Sequence, residues 1–261
     1  MLKRKAALAA IPIVIFLLGW EALSRGSLLN PYLFPPPTTI LMELGNLFMK
    51  GMPAQSALAM HVGMTLWRVL LSVVLGIVAG VIVGVAMGLN RAVYSFFDPL
   101  ITVLMPIPGI ALAPLFIVWM GFGNQTIVSL GVLSAFFPVV YTTVAGVRSV
   151  DPQLVRAAQM MGVRPVGVVL NVYLPWAATY VFNGVKLGLA RCWMTVIAVE
   201  FVAASNWGMG YMIWNAAENL RADVVYGGIL LLIVIYFILE KALINRLESR
   251  TIARWGMIRQ A

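Results

Sequence analysis

The chain has 261 residues, of which 62% are hydrophobic and only 10% are charged. Soluble domains carry roughly 25% charged residues, so the composition excludes a soluble protein and indicates an all-α protein that crosses a membrane several times. One cysteine and one histidine exclude a disulfide framework and a multi-histidine metal site, and the net charge of +9 comes without the basic, aromatic-interleaved runs that bind nucleic acid.

The first predicted span covers residues 6–24 and follows a basic cluster at residues 3–5. Such a start also suits a signal peptide. This apolar run, however, is long, contains Trp20 and Glu21, and has no clear small-residue cleavage site. We therefore expect a retained span whose amino terminus lies in the cytoplasm.

Residues 25–61 are predicted to lie outside the hydrocarbon core. Three consecutive prolines at 35–37 impose extended backbone, and the apolar residues of 40–48 then recur at helical spacing. This pattern predicts an amphipathic helix in the outer interface. His61 follows, and a lone histidine at a membrane boundary favours a hydrogen-bonded structural role over a ligand role.

The second predicted span, residues 65–89, carries four glycines at intervals of four residues. They form one stripe along a helix face, and in lipid such stripes let two helix backbones approach closely. The pattern predicts helix packing and no chemistry. The four glycines are Gly76, Gly80, Gly84 and Gly88.

The third predicted span, residues 96–120, is interrupted by prolines. Each proline removes a backbone donor, and non-helical backbone at membrane depth survives only when it is buried in protein or lines a watery cavity. Met105, Pro106 and Pro108 are therefore candidates for lining a translocation pathway. A kink satisfied by neighbouring helices is the open alternative.

The fourth predicted span, residues 126–147, leads into a polar segment at 148–175. Asp151 can cap a helix there and Gly162 can end it, which predicts a helix of about ten residues outside the membrane. Pro165 can begin a second helix. Leu154, Ala158 and Met161 recur at helical spacing. The adjacent small pair Ala157 and Ala158 would let another surface approach closely. An amphipathic helix lying on the membrane is the alternative.

The fifth predicted span, residues 176–204, contains Lys186, Arg191 and Glu200. A charge at mid-bilayer costs at least ~2.5–3.5 kcal/mol, so these groups should face the bundle interior or water. Lys186 and Glu200 are about 21 Å apart along a helix, so each needs another partner. All three are pathway candidates, and Lys186 can instead snorkel to the cytoplasm.

An outer loop with helical potential, residues 205–223, precedes the sixth predicted span at 224–243. Six spans place both termini on one side, which then carries twelve basic residues against three on the other. The excess marks the cytoplasmic face and puts the 148–175 segment there. We expect one domain over residues 1–261, with a permease core at 60–245.

Sequence motifs of common enzymes are missing. The chain has no G-x-x-x-x-G-K-[ST] loop and no H-E-x-x-H motif. We therefore expect no catalytic residue, no metal site and no cofactor of its own. Two classes remain: an ion-coupled secondary transporter using Glu200 or Asp98, and a membrane subunit worked by an external motor. No inverted repeat supports the first class.

The polar segment carries a spacing that identifies a family. Arg156-Ala157-Ala158, three residues, Gly162, nine residues, Val172, one residue, then Leu174-Pro175 resembles the EAA loop of bacterial ABC-importer permeases, E-A-A-x3-G-x9-I-x-L-P. Arg156 stands where that pattern has glutamate. Residues along most of the chain look like the nitrate/sulfonate/taurine subfamily, among them His61, Asp98-Pro99, Pro106-x-Pro108, Trp119, Glu200 and Gly208-Met209-Gly210-Tyr211.

The resemblance implies a type I ABC-importer (MetI-like) permease fold with six transmembrane helices, in a bacterial inner membrane. It also implies that the polar segment is a coupling helix seated on a cytoplasmic ABC ATPase dimer, which would bind ATP and Mg. The implied coupling residues are Asp151, Leu154, Arg156, Ala157, Ala158, Met161, Gly162 and Pro165. Further implied partners are a second permease copy in a homodimer, a periplasmic or lipid-anchored substrate-binding protein, and membrane lipid. The implied substrate is a small anion such as a sulfonate or nitrate. Members of the subfamily also carry aromatic acids and vitamin-precursor pyrimidines, which stay open as alternatives.

Overall fold

The computed structural model describes residues 2–26, 28–50 and 57–250, and within them the chain is helical, with no strand. Arg254 and Arg259, which belong to the predicted cytoplasmic tail, lie outside these residues. The helices are α1 (Leu2–Arg25), α2 (Pro37–Lys50), α3 (Ala57–Leu89), α4 (Arg91–Leu104), α5 (Ala113–Met120), α6 (Asn124–Arg148), α7 (Pro152–Met160), α8 (Pro165–Val168), α9 (Leu174–Ala203), α10 (Met209–Glu218) and α11 (Ala222–Arg250). The predicted all-α class is confirmed.

Three of the described helices are long and apolar enough to cross a membrane, over Leu58–Leu89, Asn124–Arg148 and Ala222–Ala242. A fourth candidate is the pair Arg91–Leu104 and Gly109–Met120, which is bent by 94°. Helix α9 is 30 residues long, but it contains three charged residues. Length and apolar composition alone therefore do not identify it as a span. The count of six spans therefore stays a prediction.

The chain divides into two compact units, one formed by Met1–Met64 with Trp207–Val234 and the other by Thr65–Asn206 with Ile235–Ala261. In the first unit, Glu21 of α1 joins the start of α2. Its carboxylate accepts hydrogen bonds from the backbone N–H and the hydroxyl of Thr38, at 3.1 and 2.7 Å. Glu21 thus satisfies an N–H group that the first turn of α2 leaves without an intrahelical acceptor.

The predicted outer loop at 205–223 also belongs to the first unit and contains α10. Gly208 precedes α10 with a φ of 150°, a value that favours glycine. Nδ1 of the buried His61 lies 2.9 Å from the carbonyl oxygen and 3.1 Å from the backbone nitrogen of Gly208. His61 therefore holds the entry to α10, which is the structural role that the sequence favoured.

In the second unit, α6 is the central helix and the glycine stripe of α3 lies against it. A Cβ at any of the four glycines would come within 2.6–2.8 Å of a side chain on α6. The four contacts advance together along both helices, so α3 and α6 run parallel. The facing pairs are Gly76 with Ala135, Gly80 with Val139, Gly84 with Thr143, and Gly88 with Val147.

Helix α9 packs on α6 in the opposite direction. Gly184 lies against Thr142 and Gly188 against Ala135, so the contacts descend α6 as they ascend α9. Glycines on α3 and on α9 therefore let both helices approach α6 closely. The three helices pack by van der Waals contact at short backbone distances.

The polar segment passes into α9 without a break in helical backbone. A π-helical turn at Val169–Tyr173 joins α8 to α9, and the N–H of Leu174 donates to the carbonyl of Val169. Pro175 has no N–H to continue an α-helical ladder, which accounts for the wider turn before it. The helical backbone that leads into the predicted fifth span therefore starts at Pro165, where the sequence predicted a second helix. The start of the span itself stays a prediction.

Candidate functional site

Helix α7 forms as its capping residues dictate. The Asp151 carboxylate accepts from the N–H of Gln153 at 2.8 Å, and Pro152 occupies the first turn. Gly162 has a φ of 76° and its N–H donates to the carbonyl of Gln159 at 3.0 Å. The chain then turns back towards Pro165, which begins α8.

The small pair of α7 is divided between two environments. Ala158 is buried, whereas Ala157 is exposed. Leu154, Met160 and Met161 are exposed as well, the last two at 83% and 76%. The exposed side of α7 therefore carries an apolar patch with a small residue at its centre, and the exposed polar residues Gln153, Arg156 and Gln159 lie beside it. We call Leu154, Ala157, Met160 and Met161 the α7 surface.

The predicted pathway residues Met105, Pro106 and Pro108 lie at the 94° bend after α4, where they line a cavity of about 350 Å³. Arg191 of α9 lines the same cavity, and its Nη1 donates to the carbonyl oxygen of Met105 at 3.2 Å. The structure thus brings four of the six predicted pathway residues together. The remaining wall comes from Ile107, Gly109, Ile110, Leu112, Leu133, Ser134, Phe137, Met194, Thr195 and Ala198.

Glu200 lies elsewhere, fully buried among α3, α6 and α9. Its Oε1 is 2.6 Å from Nη1 of Arg68, and the Thr65 hydroxyl lies 2.9 Å from both carboxylate oxygens. Nε of Arg68 donates to Asn124 Oδ1 at 2.9 Å. Glu200 thus has a partner on another helix, as the sequence predicted. It does not line the cavity at the bend.

Lys186 does not line that cavity either. Its Nζ lies 4.6 Å from the centroid of the Phe182 ring, which is one turn away on α9. This is a cation–π distance, so the ammonium group is stabilised by its own helix. Asp98, the other acid of the ion-coupled alternative, lines a separate cavity of about 200 Å³ with Tyr94 and Arg148.

A charged cluster lies on the first unit, where α2 meets the start of α11. Nη2 of Arg221 lies 2.7 Å from Glu43 and 2.9 Å from Asp223. The hydrogen bond to Asp223, followed by its charge and by Glu43, raises the pKa of Arg221 above its ordinary value. The Arg221 guanidinium therefore stays protonated at physiological pH.

Several residues at these sites could not be assigned from the sequence. Arg68, Thr65 and Asn124 are all far from Glu200 along the chain, and only tertiary packing brings them together. Nothing in the sequence identified Ser134 or Thr195 as residues of the cavity at the bend. Thr195 could have been placed, because it follows Arg191 by four residues and so shares its helix face.

Comparison with known proteins gives a consistent assignment. Residues 73–251 match the family described as binding-protein-dependent transport system inner membrane component. The chain is 33% identical over 254 residues to the taurine transport system permease protein TauC of Escherichia coli, which covers 97% of this chain and 91% of that protein. It is 33% identical over 239 residues to the putative aliphatic sulfonates transport permease protein SsuC of Escherichia coli, covering 91% and 87%.

The fold also matches a solved structure. A chain of the MetNI methionine ABC transporter, in an inward-facing conformation, superposes with a TM-score of 0.65 at 21% identity. The match covers 74% of this chain and 95% of that one. At this identity the likeness concerns the fold alone.

Proposed function

The chain belongs to the family of binding-protein-dependent transport system inner membrane components, and from that premise we propose that it carries a small sulfonate across the inner membrane. Members of this family are the permease subunits of ATP-driven ABC importers, and this chain is such a subunit. It is not an enzyme, because ATP hydrolysis belongs to a separate subunit. An ATPase and a substrate-binding protein are its partners.

The α7 surface is the observation that supports coupling to the ATPase. Helix α7 is not one of the apolar spans, yet it presents exposed apolar side chains. The small side chain of Ala157 leaves room for the backbone of a partner to come close. Buried apolar area is worth roughly 25 cal/mol per Å², so a partner that covers this surface gains free energy. We propose that the ATPase dimer, with its bound ATP and Mg, seats α7 in this way.

The proposed mechanism follows from the way these helices are connected and packed. Helix α7 is attached through α8 and the π-helical turn to α9, and α9 packs on α6 through glycines. Movement of α7 with a closing ATPase would therefore be transmitted to both helices. ATP binding drives transport only if the ATPase has different affinities for the two permease conformations.

The proposed arrangement has two permease copies, with both termini and the α7 surface in the cytoplasm and lipid around the spans. The excess of basic residues on one side of the six predicted spans supports the orientation. We propose a homodimer because it requires one permease sequence, whereas a heterodimer would require a second. The single-domain boundaries 1–261, with the core at 60–245, belong to the same proposal.

The substrate class rests on the relatives. The two Escherichia coli proteins are named for transport of taurine and of aliphatic sulfonates, and a sulfonate is the anion that those names share. The ion-coupled alternative is not adopted, because its acid Glu200 is held by Arg68 and the family draws its energy from an ATPase.

The test is to replace Ala157 with tryptophan and to use Ala157→Ser as the matched control. The bulky side chain should keep the ATPase off the α7 surface, so co-purification of the ATPase and ATP-dependent uptake of labelled taurine should fall at least about tenfold. The serine variant should behave as the parent chain. Normal co-purification and uptake by Ala157→Trp would contradict the proposed docking.

A further inference from the structure

We infer that the cavity at the 94° bend is an anion-binding site on the transport path, and that the guanidinium of Arg191 selects sulfonates there. The inference rests on the proposed function for its substrate class. It is carried by the charge, the hydrogen-bond donors and the shape that the cavity walls supply.

The charge of the cavity is positive. Among the described residues that line it, Arg191 is the one that bears a charge, and no carboxylate lines it. Across the described chain, the ion pairs involve Arg25, Arg68 and Arg221 but not Arg191. Arg191 lines the cavity and is itself exposed. Ionisable groups within predicted spans mark ion and substrate paths.

The guanidinium also has donors to spare. It gives one hydrogen bond, from Nη1 to the carbonyl oxygen of Met105, and its other N–H groups have no acceptor among the described residues. That carbonyl bond fixes the guanidinium at the bend. A planar fork of N–H groups matches the paired oxygens of a sulfonate as it does those of a phosphate or carboxylate.

A hydroxyl pair stands one helical turn beyond Arg191. The Ser134 hydroxyl donates to Thr195 Oγ1 at 2.8 Å, which leaves the Thr195 hydroxyl hydrogen available for another acceptor. The bend reaches this pair because residue 109 is glycine: a Cβ there would overlap Thr195 and lie 3.0 Å from Ser134 Oγ. Thr195 can therefore add a neutral donor to the cationic one.

The rest of the wall is apolar, with Ile107, Ile110, Phe137, Met194 and Ala198 among its residues. A charged end and an apolar wall suit a ligand with an anionic head and a short alkyl tail. The volume of about 350 Å³ lies at the small end of the ~300–1,000 Å³ typical of ligand pockets. An aliphatic sulfonate has this chemistry, whereas a neutral or cationic solute would leave the guanidinium unpaired.

The test measures the charge selectivity of the cavity directly. Met194 lines the cavity, is 70% exposed and follows Arg191 by three residues, so Met194→Cys places a thiol beside the guanidinium. The full chain, in complex with its partners, is treated with anionic 2-sulfonatoethyl methanethiosulfonate or with its cationic trimethylammonium analogue. Each forms a mixed disulfide and releases methanesulfinate. The parent chain, whose Cys192 is buried, gives the background.

We expect Arg191→Gln to lower the ratio of the anionic to the cationic modification rate on the order of tenfold, because a nearby unit charge acts oppositely on the two reagents. Arg191→Lys should keep most of the ratio. The matched control is Lys186→Gln, which removes the same charge from the same helix outside the cavity and should change the ratio less than about twofold. An unchanged ratio in Arg191→Gln, or no modification of Met194→Cys by either reagent, would overturn the inference.

A second measurement needs no change at Arg191 and so does not depend on the folding of Arg191→Gln. Ethanesulfonate should slow the modification of Met194→Cys, and neutral ethanesulfonamide should not. Equal protection by both compounds, or by neither, would overturn the inference. This labelling needs no ATP hydrolysis. Its failure is therefore distinct from failure of the proposed function, which would appear as absent ATP-dependent uptake.

Discussion

At the scale of single residues, the buried pair of Arg68 and Glu200 determines the local energetics. Both side chains are almost fully excluded from solvent, and the carboxylate is shared with the Thr65 hydroxyl. Removing one partner of such a pair leaves an uncompensated buried charge, which costs about 3–5 kcal/mol. We expect Arg68→Met to lower the melting temperature of the detergent-solubilised chain sharply.

The matched control for that prediction is the double variant Arg68→Met with Glu200→Leu. It removes both charges and leaves apolar side chains of similar volume, so it should be more stable than Arg68→Met alone. If the single variant has the melting temperature of the parent, or the double variant is less stable than the single one, the ion pair does not stabilise the fold as proposed.

At the scale of helices, the glycine stripe of α3 predicts a stability effect that depends on position. A Cβ at Gly84 would lie 2.6 Å from Cβ of Thr143 and 3.1 Å from the carbonyl of Val140. Overpacking of this kind typically costs ~1–3 kcal/mol. We expect Gly84→Ala to reduce thermal stability and Thr143→Gly to restore part of it in the double variant.

Gly63 offers the control on the same helix, since a Cβ there would meet nothing within 4 Å. Gly63→Ala should be neutral or stabilise by up to about 1 kcal/mol, because alanine reduces the entropy of the unfolded chain. Equal melting temperatures for Gly63→Ala and Gly84→Ala would argue against the close packing of α3 on α6.

The glycine stripe also shows how far sequence reasoning reaches at this scale. A period of four residues identifies the face of α3 that packs, because the period of an α-helix is fixed. It does not identify the helix that covers that face or its direction. The facing residues Ala135 and Thr143 are unremarkable in sequence, and their role exists only once α6 is in place.

The same limit applies to α7. Its ends could be predicted from Asp151 and Gly162, because capping is a local interaction. Which member of the small pair faces outwards depends on the neighbouring helices, and the structure exposes Ala157 while burying Ala158. The π-helical turn before Pro175 was missed for a similar reason: a proline removes one donor, but the alternative hydrogen bond depends on the helix around it.

At the scale of the whole molecule, composition determined the class, and comparison confirmed the family that the EAA spacing had indicated. The number of spans is harder to obtain. Hydropathy identifies a span by its apolar character, and α9 carries Lys186, Arg191 and Glu200. These groups are compatible with a span because Glu200 is paired and Arg191 faces a cavity, which is information that only the folded chain contains.

The orientation of the chain in the membrane can be tested with two introduced cysteines, each in a separate variant: Ala157→Cys on α7 and Leu220→Cys after α10. Both parent residues are exposed, and the native Cys192 is buried. The excess of basic residues predicts that the α7 surface lies in the cytoplasm. An impermeant maleimide should therefore label Leu220→Cys in intact spheroplasts and Ala157→Cys only in inverted vesicles. Co-expression of the ATPase should protect Ala157→Cys in inverted vesicles and leave Leu220→Cys unaffected. Labelling of Ala157→Cys from outside would contradict the orientation and, with it, any docking of a cytoplasmic ATPase on α7.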